Sequence, residues 1–430
     1  MSPELGNRND TGASPSNRGG LRLPRTFAAL RHRNYQLFFG GQLVSLIGTW
    51  MQLTALSWLV YQLTNSAFLL GLMGTVGSLP MLFFSLAGGA VADRVEKRRI
   101  VLATQTAAMI LAFVLAALTA GGWVRVWHIA VLAALGGTVM AFDMPARQAF
   151  VVDLVGKPGL MNAIALNSSI FSGARIIGPA IAGVLVARFG TAWCFFINGL
   201  SFLAVIFGLL MMRFPPRERP KRTSGMLEDA IGGLRYLRTN QTVLGLAAML
   251  GVFAIFGWSY NVLLPVFARD ILHSGARGYG YLLTSTGIGA LIGALLVASL
   301  TDYPRRDRII FGGGLLFSVA LVGFALSRSL LLSTCLLAAV GLGQIAVMSS
   351  ANTTIQISVP DEVRGRIMGI WALVFAGSAP LGSFQAGTIA QYLSAPVAVL
   401  IGAGITALST VAAIIGLRRI RARRTRVAAG

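Results

Sequence analysis

From Tyr35 to Leu417 the apolar residues run in long blocks, with neither the short alternation of half-buried strands nor the one-sided stripe of a soluble amphipathic helix. Twelve blocks are each long enough to supply the roughly 20 residues that carry a helix across a bilayer. They fall near 35–62, 67–92, 99–121, 126–146, 160–187, 191–212, 242–268, 278–301, 309–327, 330–352, 366–393 and 396–417. The sharpest interruption is Asp93-Arg94-Val95-Glu96-Lys97-Arg98-Arg99, where an apolar run gives way at once to charge. An ionised side chain at the bilayer centre costs roughly 2.5 to 3.5 kcal/mol even on the lenient insertion scale. Such a cluster therefore marks a membrane exit.

The basic residues assign a side to each exit. If both ends of the chain lie on one side, every Lys and Arg falls there except Arg125, Arg175, Arg188, Arg269, Arg277 and Arg328. By the positive-inside rule that side is the cytoplasm, so a multi-pass protein of the cytoplasmic membrane with both termini cytoplasmic is expected. The longest loop on that side begins Pro215-Pro216-Arg217-Glu218-Arg219-Pro220-Lys221-Arg222. Its apolar positions Met226, Leu227, Ile231, Leu234, Tyr236 and Leu237 then recur mostly at three to four, which predicts a short surface helix. The expected organisation is a disordered basic tail over 1–34, a six-helix bundle over 35–213, a linker over 214–241, a second six-helix bundle over 242–417 and a basic tail over 418–430. The first apolar block starts late and is too long for a signal core, so no cleavable leader is expected.

Composition agrees with that plan. With 55% hydrophobic and 12% charged residues and a mean hydropathy of +0.73, the chain has too little charge to clothe a soluble globule of 430 residues. It reads as an all-α polytopic membrane protein whose partner is the lipid bilayer. A net charge of +22 raises nucleic-acid binding. The confinement of that charge to loops between apolar blocks makes it a topology signal instead. Cys194 and Cys335 sit inside apolar blocks, and His32, His128 and His273 are isolated, so neither metal nor cofactor nor enzyme chemistry is expected. A Gly-rich nucleotide loop ending in Lys-Ser/Thr is missing, so ATP drive has no support.

Two loci repeat. A shift of 209 residues lays Asp93 on Asp302, Arg99 on Arg308 and Ile100 on Ile309; a shift of 204 lays Gly173, Gly178 and Gly183 on Gly377, Gly382 and Gly387. Nearly equal offsets at separate places point to a duplicated six-helix unit.

The spacing of Gly89, Asp93, Arg94, Lys97 and Arg98 resembles the loop between the second and third spans of the major facilitator superfamily. Glu96 departs from it, standing where that loop has a small residue, and the copy at Asp302 lacks the arginine after the aspartate. Leu30 to Phe39 leading into Gly41 to Gln52, Phe142-Asp143-Met144-Pro145-Ala146-Arg147-Gln148-Ala149, and Val363-Arg364-Gly365-Arg366 are similar to the branch that contains the enterobactin exporter and macrolide efflux proteins. Gly173-Ala174-Arg175-Ile176-Ile177-Gly178-Pro179-Ala180-Ile181-Ala182-Gly183 resembles the glycine-proline motif of the superfamily's proton-driven exporters, departing from it at Ala174 and Ala182.

The resemblance implies two pseudo-symmetric bundles that rock about a mid-membrane cavity. It also implies a latch in which Asp93 meets the start of the eleventh helix near Arg366, Lys97 or Arg98 reaches Asp143, and Arg147 lies alongside. Gly173, Gly178, Pro179 and Gly183 would pack closely and gate the outer half. For the cavity, Gln42, Ser45, Thr49 and Gln52 form one polar face on the first span. Tyr260, Asn261, Gln344, Trp371 and Gln385 are further candidates, and each either lines the cavity or binds neighbouring helices together. Arg175, a mid-span cation, either binds an anionic substrate or pairs with a carbonyl. The expected protein is a monomeric exporter of a siderophore or drug with protons as coupling ion. The alternatives are an importer or lysophospholipid flippase of the same fold, and a non-transporting scaffold or sensor.

Overall fold

The computed structural model describes residues 29–212, 240–300 and 305–429, without the side chains of 157, 361, 362, 364–366, 369–376 and 417–429. The tail before Ala29, the linker helix expected around Met226 to Leu237, and Asp302 lie outside the described residues, as do the side chains of Arg366 and Trp371.

Twelve long helices alternate in direction among the described residues: α1 (Arg33–Thr64), α2 (Ala67–Arg94), α3 (Lys97–Ala120), α4 (Val126–Gly156), α5 (Pro158–Phe189), α6 (Thr191–Met211), α7 (Gln241–Ile271), α8 (Gly275–Ser299), α9 (Arg306–Leu326), α10 (Leu330–Ser358), α11 (Asp361–Tyr392) and α12 (Ala395–Ala429). All but α11 carry a window apolar enough to cross a membrane, and α11 has 32 residues. Each expected span corresponds to one of these helices, and eleven of the twelve qualify as membrane spans by length and apolarity. Several helices run past the expected ends: α4 extends beyond Ala146 to Gly156, α10 to Ser358, and α12 continues as helix through the expected tail. Hydropathy marks where lipid ends, whereas backbone hydrogen bonding continues into water.

Local chemistry sets the breaks. Ser66 caps α2 by accepting from the Leu69 N–H at 3.3 Å, and Asn240 caps α7 by accepting from Thr242 and Val243. Gly156, with φ of +68°, takes a left-handed turn immediately before Lys157 and Pro158, which separates α4 from α5. Within α7, Phe253–Gly257 and Phe267–Ile271 are π-helical, each with one extra residue in the turn.

Helices α1–α6 form one bundle and α7–α12 the other. The turns from α2 to α3 and from α4 to α5 mark what is here named the basic face; those from α1 to α2 and from α7 to α8 mark the far face. The second bundle has one continuous apolar core that includes Phe253, Tyr260, Phe267, Phe317 and Phe324. In the first bundle the core divides into a basic-face cluster around Tyr35, Phe38 and Phe150 and a far-face cluster around Met51, Tyr61 and Phe195. Leu295, Val319 and Leu408 are among many large apolar side chains exposed around the outside, as a lipid-facing surface requires.

Candidate functional site

The bundles meet along two seams. In one, α2 lies on α11: a methyl added to Gly71 would stand 2.8 Å from the Gly387 Cα, and Thr75 Oγ1 donates to the Pro380 carbonyl at 3.0 Å. In the other, α5 lies on α8: a methyl on Gly280 would stand 2.7 Å from the Pro179 carbonyl and 3.0 Å from the Gly183 Cα, and Thr284 Oγ1 donates to the Ile176 carbonyl at 3.2 Å. The two are copies. Gly71 and Thr75 precede Gly280 and Thr284 by the same 209 residues that separate Asp93 from Asp302; Ile176 and Gly183 precede Pro380 and Gly387 by 204. Without a hydrophobic effect between helices in lipid, such close backbone approach is the main source of attraction.

The glycine-proline stretch divides its work. Gly183 and Pro179 face the other bundle, whereas Gly178 packs inside its own, where an added methyl would meet the Ile47 carbonyl at 2.9 Å. Gly382 does the same in the second half against the Ile255 carbonyl at 2.8 Å. Gly173 was expected to join this packing. It does not, because nothing lies within 4 Å of a methyl placed there.

At the far face further side chains join the bundles. Tyr61 on α1 donates a hydrogen bond to Asp270 on α7; Arg269 donates to Asn65 Oδ1 at 2.5 Å and lies 5.6 Å over the Tyr61 ring. Trp58 stacks on Tyr279 at 6.1 Å, and Gln391 Oε1 accepts from Ser66 Oγ and the Phe68 N–H. A pocket of about 370 Å³ opens beside this cluster, lined by Trp58, Tyr61, Gln62, Arg269, His273 and Gly275.

The basic face is arranged otherwise. Asp93 and Arg94 are exposed, and Asp93 has no hydrogen-bonding or ionic partner among the described residues. Gly88, one place before Gly89, is the glycine that lets α2 meet α4, where a methyl would stand 3.2 Å from the Phe142 Cα. Lys97 pairs with Asp153 at 2.7 Å, and Arg98 donates to the carbonyls of Leu209 and Leu210. The expected approach of Lys97 or Arg98 to Asp143 is therefore corrected: both are committed elsewhere. Glu96, the departure from the superfamily loop, pairs with Arg99 at 2.8 Å.

Asp143 instead organises a buried polar layer between the two cores of the first bundle. It is 3% exposed, pairs with Arg147 at 3.2 Å, and accepts from Thr104 Oγ1 at 2.7 Å and Gln105 Nε2 at 3.1 Å. Arg147 Nη1 donates onward to Gln42 Oε1 at 2.9 Å. Thr104, Gln105 and Asp153 were not singled out from the sequence. A four-residue spacing from Asp143 to Arg147 was the available clue, since i and i+4 share a helix face.

The polar face of α1 turns toward its own bundle and not toward an open path. Gln42 meets Arg147, Gln52 Oε1 accepts from Asn198 Nδ2 at 2.7 Å, Thr49 Oγ1 returns to the Ser45 carbonyl at 2.8 Å, and Ser45 is buried. The reason is that lipid offers no hydrogen bonds, so polar groups turn to neighbouring helices. Gln385 likewise joins α11 to α7 through the Ile255 carbonyl and Ser259 Oγ, and Asn261 Nδ2 donates to the Trp258 carbonyl. Three candidates stay uncommitted. The Tyr260 hydroxyl and Gln344 Oε1 are buried without a hydrogen-bond partner, and half-buried Arg175 has only the Trp50 ring, 6.0 Å from its guanidinium carbon.

Two six-helix bundles touching through duplicated glycine seams, with a buried polar layer in the first, have the architecture of a two-bundle membrane transporter. The chain belongs to the major facilitator superfamily, within its transmembrane secretion effector family, whose sequence pattern matches residues 24–427. It is 25% identical to the staphyloferrin A transporter of Staphylococcus aureus over 347 residues, 80% of this chain and 87% of that one. It is 27% identical to the multidrug efflux pump Tap of Mycolicibacterium fortuitum over 80% of this chain and 86% of the pump. With the enterobactin exporter EntS of Shigella boydii identity is 25% over 91% of this chain and 94% of the exporter. Among solved structures, the nucleoside transporter NupG superposes with a TM-score of 0.72 at 13% identity, covering 89% of this chain and 99% of that one. A bacterial homolog of the human lysosomal transporter Spinster gives 0.67 at 15%, covering 90% and 95%. These two likenesses establish the fold alone.

Proposed function

We propose that this chain exports a small amphipathic molecule, a siderophore or a drug, across the cytoplasmic membrane by alternating access. The observation that carries the reading is one-sided closure. Every bundle-to-bundle contact named above lies in the far half of the helices, while Asp93 on the basic half is exposed, with no partner among the described residues. With the basic face cytoplasmic, as its Lys and Arg content supports, this is a state that loads from inside the cell. Closing the basic side would bring Asp93 to the start of α11, whose unpaired backbone amides attract an anion. The relatives, two siderophore transporters and a drug pump by name, support the class of cargo.

Proton antiport belongs to the same proposal. Asp143 is the one buried carboxylate among the described residues, and its network would have to rearrange whenever it took a proton. Everted vesicles test both parts. Vesicles containing the chain should accumulate a radiolabelled siderophore or drug under an imposed pH gradient, acid inside, and vesicles lacking it should not. Equal accumulation with and without the chain removes export. Accumulation that survives collapse of the gradient removes proton coupling.

A further inference from the structure

Arg175 is the charge the fold leaves unanswered. It sits near the middle of α5, 17 residues after Pro158 and 14 before Phe189, at the depth where an ionised group is hardest to keep. Arginine holds its proton, so neutralisation is not an escape. Yet among the described residues the guanidinium has no hydrogen bond or ion pair, only the Trp50 ring at 6.0 Å. The sequence offers it no counter-ion, because α1, α5, α6 and α8 contain no Asp or Glu. Asp143 on α4 is taken by Arg147, Thr104 and Gln105, and Asp270 on α7 lies at the far face beside Tyr61. The carbonyl alternative raised by the sequence is not realised among the described residues.

Three further observations make this place a site and not an accident. The α5–α8 seam ends there: the Ile176 carbonyl takes the Thr284 hydrogen bond, and a methyl on Gly287 would stand 3.4 Å from the Arg175 carbonyl. The Arg175 backbone therefore borders the seam, and its side chain reaches Trp50 on α1. The Tyr260 hydroxyl, on a side chain 1% exposed, makes no well-formed hydrogen bond, although the Asn261 and Thr286 side chains lie beside it, and Arg175 is the cation in its surroundings. Finally, the equivalent of Arg175 in the second half, 204 residues on, is Ala379, so the seam itself has no need of the cation.

We propose that Arg175, Trp50 and Tyr260 form the cargo site, and that the cargo presents a carboxylate or similar oxyanion attached to a flat apolar group. The oxyanion pairs with the guanidinium and accepts from the Tyr260 hydroxyl; the flat group lies on Trp50. This rests on the exporter reading and narrows it to organic anions.

The test uses the full chain in lipid nanodiscs and two labelled probes of one shape, 1-naphthoate and its neutral amide, 1-naphthamide. Naphthoate should bind saturably and about tenfold or more tightly than the amide, the advantage expected of hydrogen bonds to a charged group. Arg175→Gln should erase that preference while still binding the amide, which also reports that the variant is folded; Arg175→Lys should keep part of it. Equal binding of acid and amide, no saturable binding of either, or a preference that survives Arg175→Gln overturns the proposal. Everted vesicles separate it from the exporter reading. Uptake of neutral and cationic drugs with no preference for acids leaves export standing and removes the anion site. A binding preference intact in a chain that moves nothing keeps the site and removes export.

Discussion

Asp143 and Arg147 in the first bundle and Asn352 and Gln356 in the second occupy corresponding places, 209 residues apart, and hold the same geometry. The charged pair stands at 3.2 Å, and Gln356 Nε2 donates to Asn352 Oδ1 at 3.2 Å. Around the charged pair the first bundle supplies Thr104 and Gln105; at their counterparts the second has Gly313 and Gly314, which let α9 approach α10 and α12 closely. One half thus keeps a buried ion pair inside a split core. The other has replaced it with neutral amides beside a continuous one. A scaffold that only needed filling would not require the difference, so the charge in the first half is the part to suspect of doing chemistry.

The comparison can be broken most forcefully at Asp143. Asp143→Leu should destabilise the protein by roughly 3 to 5 kcal/mol, since Arg147 is left as a buried charge without its carboxylate. Asn352→Leu should cost only about 1 kcal/mol, the loss of one neutral hydrogen bond between half-buried amides. Thermal unfolding of the purified variants decides it, and equal losses would mean that the halves do not differ as described. The seams come next. Gly71→Leu and Gly280→Leu should each cost roughly 1 to 3 kcal/mol through overpacking and should depress transport alike, because they are related copies. Gly173→Leu, facing open space, should leave stability unchanged. The double variant Asp143→Asn with Arg147→Gln turns the first half into an imitation of the second. It should fold, and its transport should no longer respond to a pH gradient. Asp93→Asn should insert and unfold like the parent while transport falls; normal flux would remove the latch. Tyr61→Phe removes one hydrogen bond at the far face and should cost about 1 kcal/mol.

How much of this was legible in the chain depends on whether a position reports on itself or on its neighbours. Spans are self-reporting, since an apolar block of the right length has one use in lipid. The duplication was legible for the same reason, as offsets of 209 and 204 need no coordinates; those offsets applied to Gly71 and Thr75 already point to Gly280 and Thr284. The polar face of α1 did not report its direction. In a membrane helix a polar stripe turns equally well toward a water-filled path or a neighbouring helix, and Asn198 and Arg147, far away in sequence, decided the matter. Lys97 was misassigned on similar grounds. Asp143 and Asp153 are both acids near the basic face, and only the continuation of α4 to Gly156 brings the second within 2.7 Å.

Because the seams consist largely of glycine against glycine, with threonine hydroxyls resting on carbonyls, they present mainly backbone to one another, and side-chain contacts such as Phe68 on Phe384 at 6.0 Å are few. If the bundles rock as proposed, parting such surfaces frees few rotamers, and the residues capping the far face would set much of the barrier that cargo has to overcome.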